Sequence, residues 1–130
     1  MRRKELCDED YKKAMQEIIT AGDEVKIKLC KLLALRKKMH PENDWQQDDF
    51  WNKFSDFYAD NMEVANDWVR NDCSADDFSW LSEVFEDIAE KSQSKDFINC
   101  IEETSKKFPE ECEKYSIMFS IECAKGMMND

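Results

Sequence analysis

The side chains able to do chemistry in this 130-residue chain are one histidine, six cysteines and a surplus of carboxylates, and none is spaced as a catalytic set. A Ser/His or Cys/His relay needs a base that is itself oriented by a third group, and nothing in the sequence marks such partners for His40. Beside Pro41, His40 reads as a helix-end residue, where an imidazolium would meet the negative end of the dipole. Cys7, Cys30, Cys73, Cys100, Cys112 and Cys123 contain no CxxC or CxxH pair, which argues against zinc. Asp8-Glu9-Asp10 opens like a calcium loop but lacks the glycine at its sixth position and the glutamate at its twelfth. The pairs Asp48-Asp49 and Asp76-Asp77 could serve glycoside hydrolysis only across a cleft, with one carboxyl in an apolar setting. Among 30 Asp and Glu such pairs carry little information. Gly22 and Gly126 stand alone, so no phosphate-cradling loop or dinucleotide fingerprint can form. The chain reads as a protein with no catalytic residue, no metal and no cofactor.

Recognition chemistry is better represented. At 100° per residue, Trp45 projects about 180° from Phe54, and Trp80 lies about 110° off the apolar face of its own segment. Each indole sits beside carboxylates, Trp45 with Asp48 and Asp49, Trp80 with Asp76 and Asp77. A ring exposed in this way can stack on an apolar or proline-like ridge while the acids pair with Lys or Arg. These six residues are the expected partner-binding set. The plain alternative is that neighbouring helix ends cover both rings.

The elements that must position these residues are all helical, because apolar residues recur with helical spacing and no segment alternates with period two. Six helices are expected, in a compact single domain over residues 1–130. The first runs from about Glu5 to Ala21, closed by Gly22 in the left-handed conformation, and the second from about Glu24 to Met39, capped by Asp23 and stopping before Pro41. The third is one long amphipathic helix, with Phe50, Trp51, Phe54, Phe57, Tyr58, Met62, Ala65, Trp68 and Val69 on its inner stripe and an Asp44/Gln47 capping box at its start. Ser74 and Ser94 cap the fourth and fifth, and Pro109 fits the first turn of the sixth. The sixth places Cys112, Tyr115, Phe119 and Cys123 on one face and Ile117 and Ile121 on the other, so it reads as a central helix packed on both sides. An exposed Ile117/Ile121 patch is the competing reading.

Charge and cysteine usage narrow the partners. Residues 1–40 carry net +4, residues 41–90 net −13 and residues 91–130 net −2, for −11 in all. An anionic middle third repels nucleic acid and anionic lipid and favours a cationic partner, unless the acids are simply solvated faces. No stretch approaches the ~20 apolar residues that cross a bilayer, and the N-terminus lacks the apolar core of a signal peptide. The even cysteine count reads as three disulfides in a secreted monomer whose signal was removed, Met1 then being an added start. Cys112 and Cys123, about 16 Å apart along one helix, cannot pair, and Cys7 with Cys30 is disfavoured by stagger. Cys100 with Cys112, across the turn at Phe108, is the pair expected. Six free thiols packed as small apolar groups is the alternative.

The segment Lys4-Glu5-Leu6-Cys7-Asp8-Glu9-Asp10-Tyr11-Lys12-Lys13-Ala14, in an acidic, cysteine-bearing helical chain, resembles the C-terminal globular domain of the mosquito salivary antiplatelet proteins of the aegyptin and anopheline antiplatelet type. The resemblance implies a secreted binder of collagen that blocks platelet adhesion and activation. It assigns no residue-level site. That family's Gly/Glu-rich half has no counterpart here, so it also implies a piece of a longer chain. Two other classes compete. A helical carrier of small hydrophobic or amine ligands would resemble insect odorant-binding proteins, but that family's cysteine spacings of three and eight are missing: the closest pair here has ten residues between. An intracellular interaction or effector protein would keep its thiols reduced.

Overall fold

The computed structural model describes residues 6–40 and 42–129, so the expected helix start at Glu5 and the stop at Pro41 lie outside the described residues. The described chain is helical: α1 (Asp8–Thr20), α2 (Val25–Lys38), α3 (Asp44–Asp60), α4 (Met62–Asn71), α5 (Ala75–Leu81), a 3-10 turn (Ser82–Val84), α6 (Phe85–Ser92), α7 (Lys95–Ser105), α8 (Pro109–Lys114) and α9 (Ile117–Gly126). No strand occurs among the described residues.

Three starts follow the sequence. The Ser74 and Ser94 hydroxyls accept from the N–H groups of Asp77 and Phe97, three residues on, and Pro109 occupies the first turn of α8. Two local expectations fail. The cap of α3 is Asn43, whose side chain accepts from the Gln46 N–H, one residue before the Asp44 expected. Gly22 has no positive φ, because α1 ends through an extended Ala21 and α2 begins at Glu24 without a side-chain cap; Asp23 pairs with Lys31 instead, at 2.7 Å.

Each of three expected helices is split. The long third helix breaks at Asn61, whose side-chain amide donates to the Phe57 carbonyl as the ladder ends. The fourth tightens into the 3-10 turn between α5 and α6. The sixth breaks at Ser116, which adopts φ 54°, ψ 40°. A left-handed residue reorients everything downstream, so α8 and α9 do not share one set of faces. Ile117, Ile121 and Ala124 therefore turn inward and are fully buried, while Tyr115 and Phe119 are exposed. The expectation of a central helix covered on both sides is corrected, and so is its rival, the exposed Ile117/Ile121 patch.

The core is an aromatic ladder. Phe50, Phe54 and Tyr58 of α3 run into Phe97 of α7, Phe85 of α6 and Phe78 of α5, with centroid separations of 5.3–6.4 Å. Such pairs add about 0.5–1.5 kcal/mol each beyond their burial. α9 packs on α6 and α7, α6 on α3, α4 on α7, and α1 on α2.

Polar ties fix the register of these layers. The Tyr58 hydroxyl donates to Asn66 Oδ1 (2.7 Å), Asn66 Nδ2 donates to Asp96 Oδ2 (3.0 Å), and Arg70 bridges Asp96 and Glu103 (3.2 Å each). Gln46, fully buried, donates to the Leu6 carbonyl and Asp8 Oδ1 and so holds α1 against α3.

The disulfide framework is not present: all six cysteines are free. The expected Cys100–Cys112 pair is not formed because the two buried thiols turn to different carbonyls, Cys100 Sγ to Asn66 O (3.5 Å) and Cys112 Sγ to Ser105 O (3.4 Å). Cys73 Sγ faces Ser74 O, while Cys7 and Cys30 are exposed and Cys123 is partly covered. Burial pushes the Cys100 thiol up to about 11 and raises Cys73 and Cys112 as well, so these sulfurs remain neutral S–H groups.

Candidate functional site

The six expected binding residues separate into two clusters. At the start of α3, Trp45 is 46% exposed, its edge against Tyr11 (5.9 Å, 86°) and Lys12 Nζ 5.0 Å from its centroid. Asp49 is engaged within the fold, accepting from the Tyr11 hydroxyl (2.9 Å) and pairing with Lys53 (3.0 Å). Asp48 is exposed. This cluster shows a ring with one open side and a single uncommitted acid.

The second cluster is more developed. Trp80 in α5 lines a surface groove of about 330 Å³ together with Asp76, Ser79, Ser82, Glu83 and Tyr115. The indole is held from behind by Arg36 of α2, whose guanidinium carbon lies 5.1 Å from the ring centroid. Arg36 is almost completely buried and grips Glu83 with both arms, Nε to Oε2 at 2.8 Å and a terminal nitrogen to Oε1 at 2.9 Å. The Trp51 indole N–H adds a third bond to Glu83 Oε2 (3.3 Å). Trp80 and Glu83 are thus set rigidly before any ligand arrives, which lowers the ordering cost of binding.

The acids of this cluster are partly answered from within. Lys37, the next residue of α2, reaches both Asp76 and Asp77 at 2.8 Å. Asp77 is mostly covered, but the Asp76 side chain is 64% exposed, and a carboxylate has about four acceptor sites, so it can take a second cation. Trp80, Asp76 and Asp77, three of the expected binding residues, meet here with Glu83, Trp51, Arg36, Lys37 and Tyr115, which lay outside the expected set. Arg36 and Lys37 lie about forty positions upstream, on α2. Tyr115 reaches the groove from the end of α8, which packs against α5. No signal in the sequence pairs either with Trp80.

Among the described residues no three His, Cys, Asp or Glu side chains converge on a point where a metal ion could be held, and no helix is long and apolar enough to cross a membrane. No family model matches the chain, and neither does any curated protein or solved structure.

Proposed function

We propose that this protein is a non-enzymatic binding module that takes an extended, cationic polypeptide across the Trp80 groove and masks it. The observation that carries the reading is the convergence of two aromatic side chains, Trp80 and Tyr115, with the carboxylates of Asp76 and Glu83 on one groove. Aromatic-lined grooves suit chains in the polyproline conformation, whose stiffness leaves little entropy to lose, and flanking acids select Lys or Arg beside the ridge. Collagen has both properties, being three such chains wound together. The resemblance to salivary antiplatelet proteins supports the same ligand, with a secreted setting and inhibition of platelet adhesion as the consequence. Trp45 and Asp48 supply a secondary contact on the α1/α3 side.

The cysteines favour a second reading. Neutral, buried thiols at Cys100 and Cys112 suit a reducing compartment, where the same groove would serve an intracellular interaction or effector protein. The carrier reading has less support, because the Trp80 groove is lined by exposed and partly exposed side chains instead of an enclosed apolar wall.

The test is binding to immobilised collagen at two salt concentrations. Wild type should bind, more weakly at high salt, and Trp80→Ala should lose most of the affinity. Equal binding by Trp80→Ala would refute the groove, and no binding by wild type would refute collagen as the ligand.

A further inference from the structure

A helix that is apolar almost all round is ordinarily covered on every side. In α9, Ile117, Ile121 and Ala124 are sealed inward, yet Phe119 stands 71% exposed and Met118 50%. Next to this knob is an open groove of about 490 Å³, walled by Pro109, Cys112 and Met118 and rimmed by Lys106 and Glu113. It is large enough to receive a phenyl side chain. A foreign partner requires a knob or a groove. A face carrying both, side by side and sharing Met118, complements itself under a two-fold rotation.

Charge selects the same occupant. Residues 41–90 carry net −13, which two copies could not bring together, whereas residues 91–130 carry only net −2. On this face Lys125 already balances Glu102 and Glu122, at 3.0 and 3.3 Å. Lys106 and Glu113, on the groove's rim, are opposite in sign and able to meet their counterparts across the two-fold axis.

We propose that α8 and α9 form an isologous interface between two copies of this chain, each inserting Phe119 into the groove beside Pro109 and Cys112 of the other copy. A stable interface covers about 800 Å² per protomer, roughly a tenth of the 7791 Å² surface here. Two short helices offer a small face, so the association should be weak and reversible. Because each protomer carries −11, salt should strengthen this association by screening. That is opposite in sign to its effect on a cationic ligand in the Trp80 groove, and the proposal does not depend on what that groove binds.

Sedimentation equilibrium of the full chain, from about 1 μM to about 1 mM, tests it. The weight-average mass should climb from 15.5 kDa toward twice that value, earlier at high salt. Phe119→Asp should weaken association at least about tenfold, while Phe119→Leu and Trp80→Ala retain it. Phe119 is exposed in the protomer, so neither substitution there should prevent folding. A protomer mass across the whole range, or a Phe119→Asp variant that associates like wild type, would overturn the proposal.

Discussion

Replacing Arg36 by Met tests whether the buried pair with Glu83 is what sets the Trp80 groove. The substitution keeps most of the aliphatic stem and removes the guanidinium. It deletes two charge-assisted hydrogen bonds, each worth about 1.5–3 kcal/mol, and leaves Glu83 with only the Trp51 N–H. Truncating one partner of a fully buried pair costs about 3–5 kcal/mol, but water reaches Glu83, whose side chain is 29% exposed, and offsets part of that loss. The expected cost is about 2–3 kcal/mol. With an unfolding entropy of about 2.1 cal/mol/K per residue over 130 residues, the thermal midpoint falls by roughly 10 °C. Urea titration followed by tryptophan fluorescence reads both the stability and the environment of Trp80, which loses its stacked cation. The double variant Arg36→Met with Glu83→Met removes the orphaned charge and should recover at least half of the loss. If Arg36→Met lies within about 0.5 kcal/mol of wild type, the usual scatter of a surface substitution, the pair does not organise this region. If the double variant is worse than the sum of the singles, the desolvation argument is wrong.

Tyr58→Phe should cost about 1–3 kcal/mol, because it strands the side-chain oxygen Asn66 Oδ1 in the core, and a urea midpoint unchanged from wild type would contradict the network drawn through Asp96 and Arg70. A thiol reagent should label Cys7 and Cys30 quickly and the fully buried Cys100 only as the protein unfolds, with all six reactive in denaturant without reductant; fewer than six would restore a disulfide. Asp96 and Asp8 are held below the ordinary carboxylate value, Asp96 by Arg70 and then Asn66, Asp8 by Gln46 and then Asn43. Their contribution is therefore present above the unfolded-state value of 3.8 and lost as pH falls through the lower folded values, whereas Asp87, raised by burial, works in the opposite sense. Stability followed from pH 7 down to about 2 should decline less steeply in Asp96→Asn than in wild type, and equal slopes would dismiss that carboxylate.

Residues whose conformation depends on near neighbours were readable in advance. Ser74, Ser94 and Pro109 mark helix starts because a cap or a fixed φ acts within one turn, and of the expected stripe Phe50, Phe54, Tyr58, Ala65, Trp68 and Val69 are buried, while Trp51, Phe57 and Met62 are only partly so. The breaks were not readable. Nothing local distinguishes Asn61 from the other asparagines of the chain, and Ser116 is a left-handed residue without the glycine that would announce it. That second break decided the most, turning Ile117 and Ile121 inward and Phe119 outward. The off-stripe position of Trp80 was legible, but its setting was not, since Arg36, Lys37 and Tyr115 reach it by tertiary packing. The same packing explains why the Asp76-Asp77 pair, read as free to meet a partner, is answered largely by Lys37. The cysteines misled because an even count in a small acidic chain fits a disulfide scaffold as well as it fits buried thiols donating to Asn66 and Ser105 carbonyls.

The central claim is that the groove between Trp80 and Tyr115 grips a basic, proline-rich chain. Titrating the protein with a triple-helical collagen peptide bearing arginine, while recording tryptophan fluorescence in wild type and in a Trp80→Phe variant, tests it most directly. Saturable quenching in wild type that weakens with salt and is lost in Trp80→Phe is the predicted result, and quenching of equal size and affinity in both proteins would contradict it.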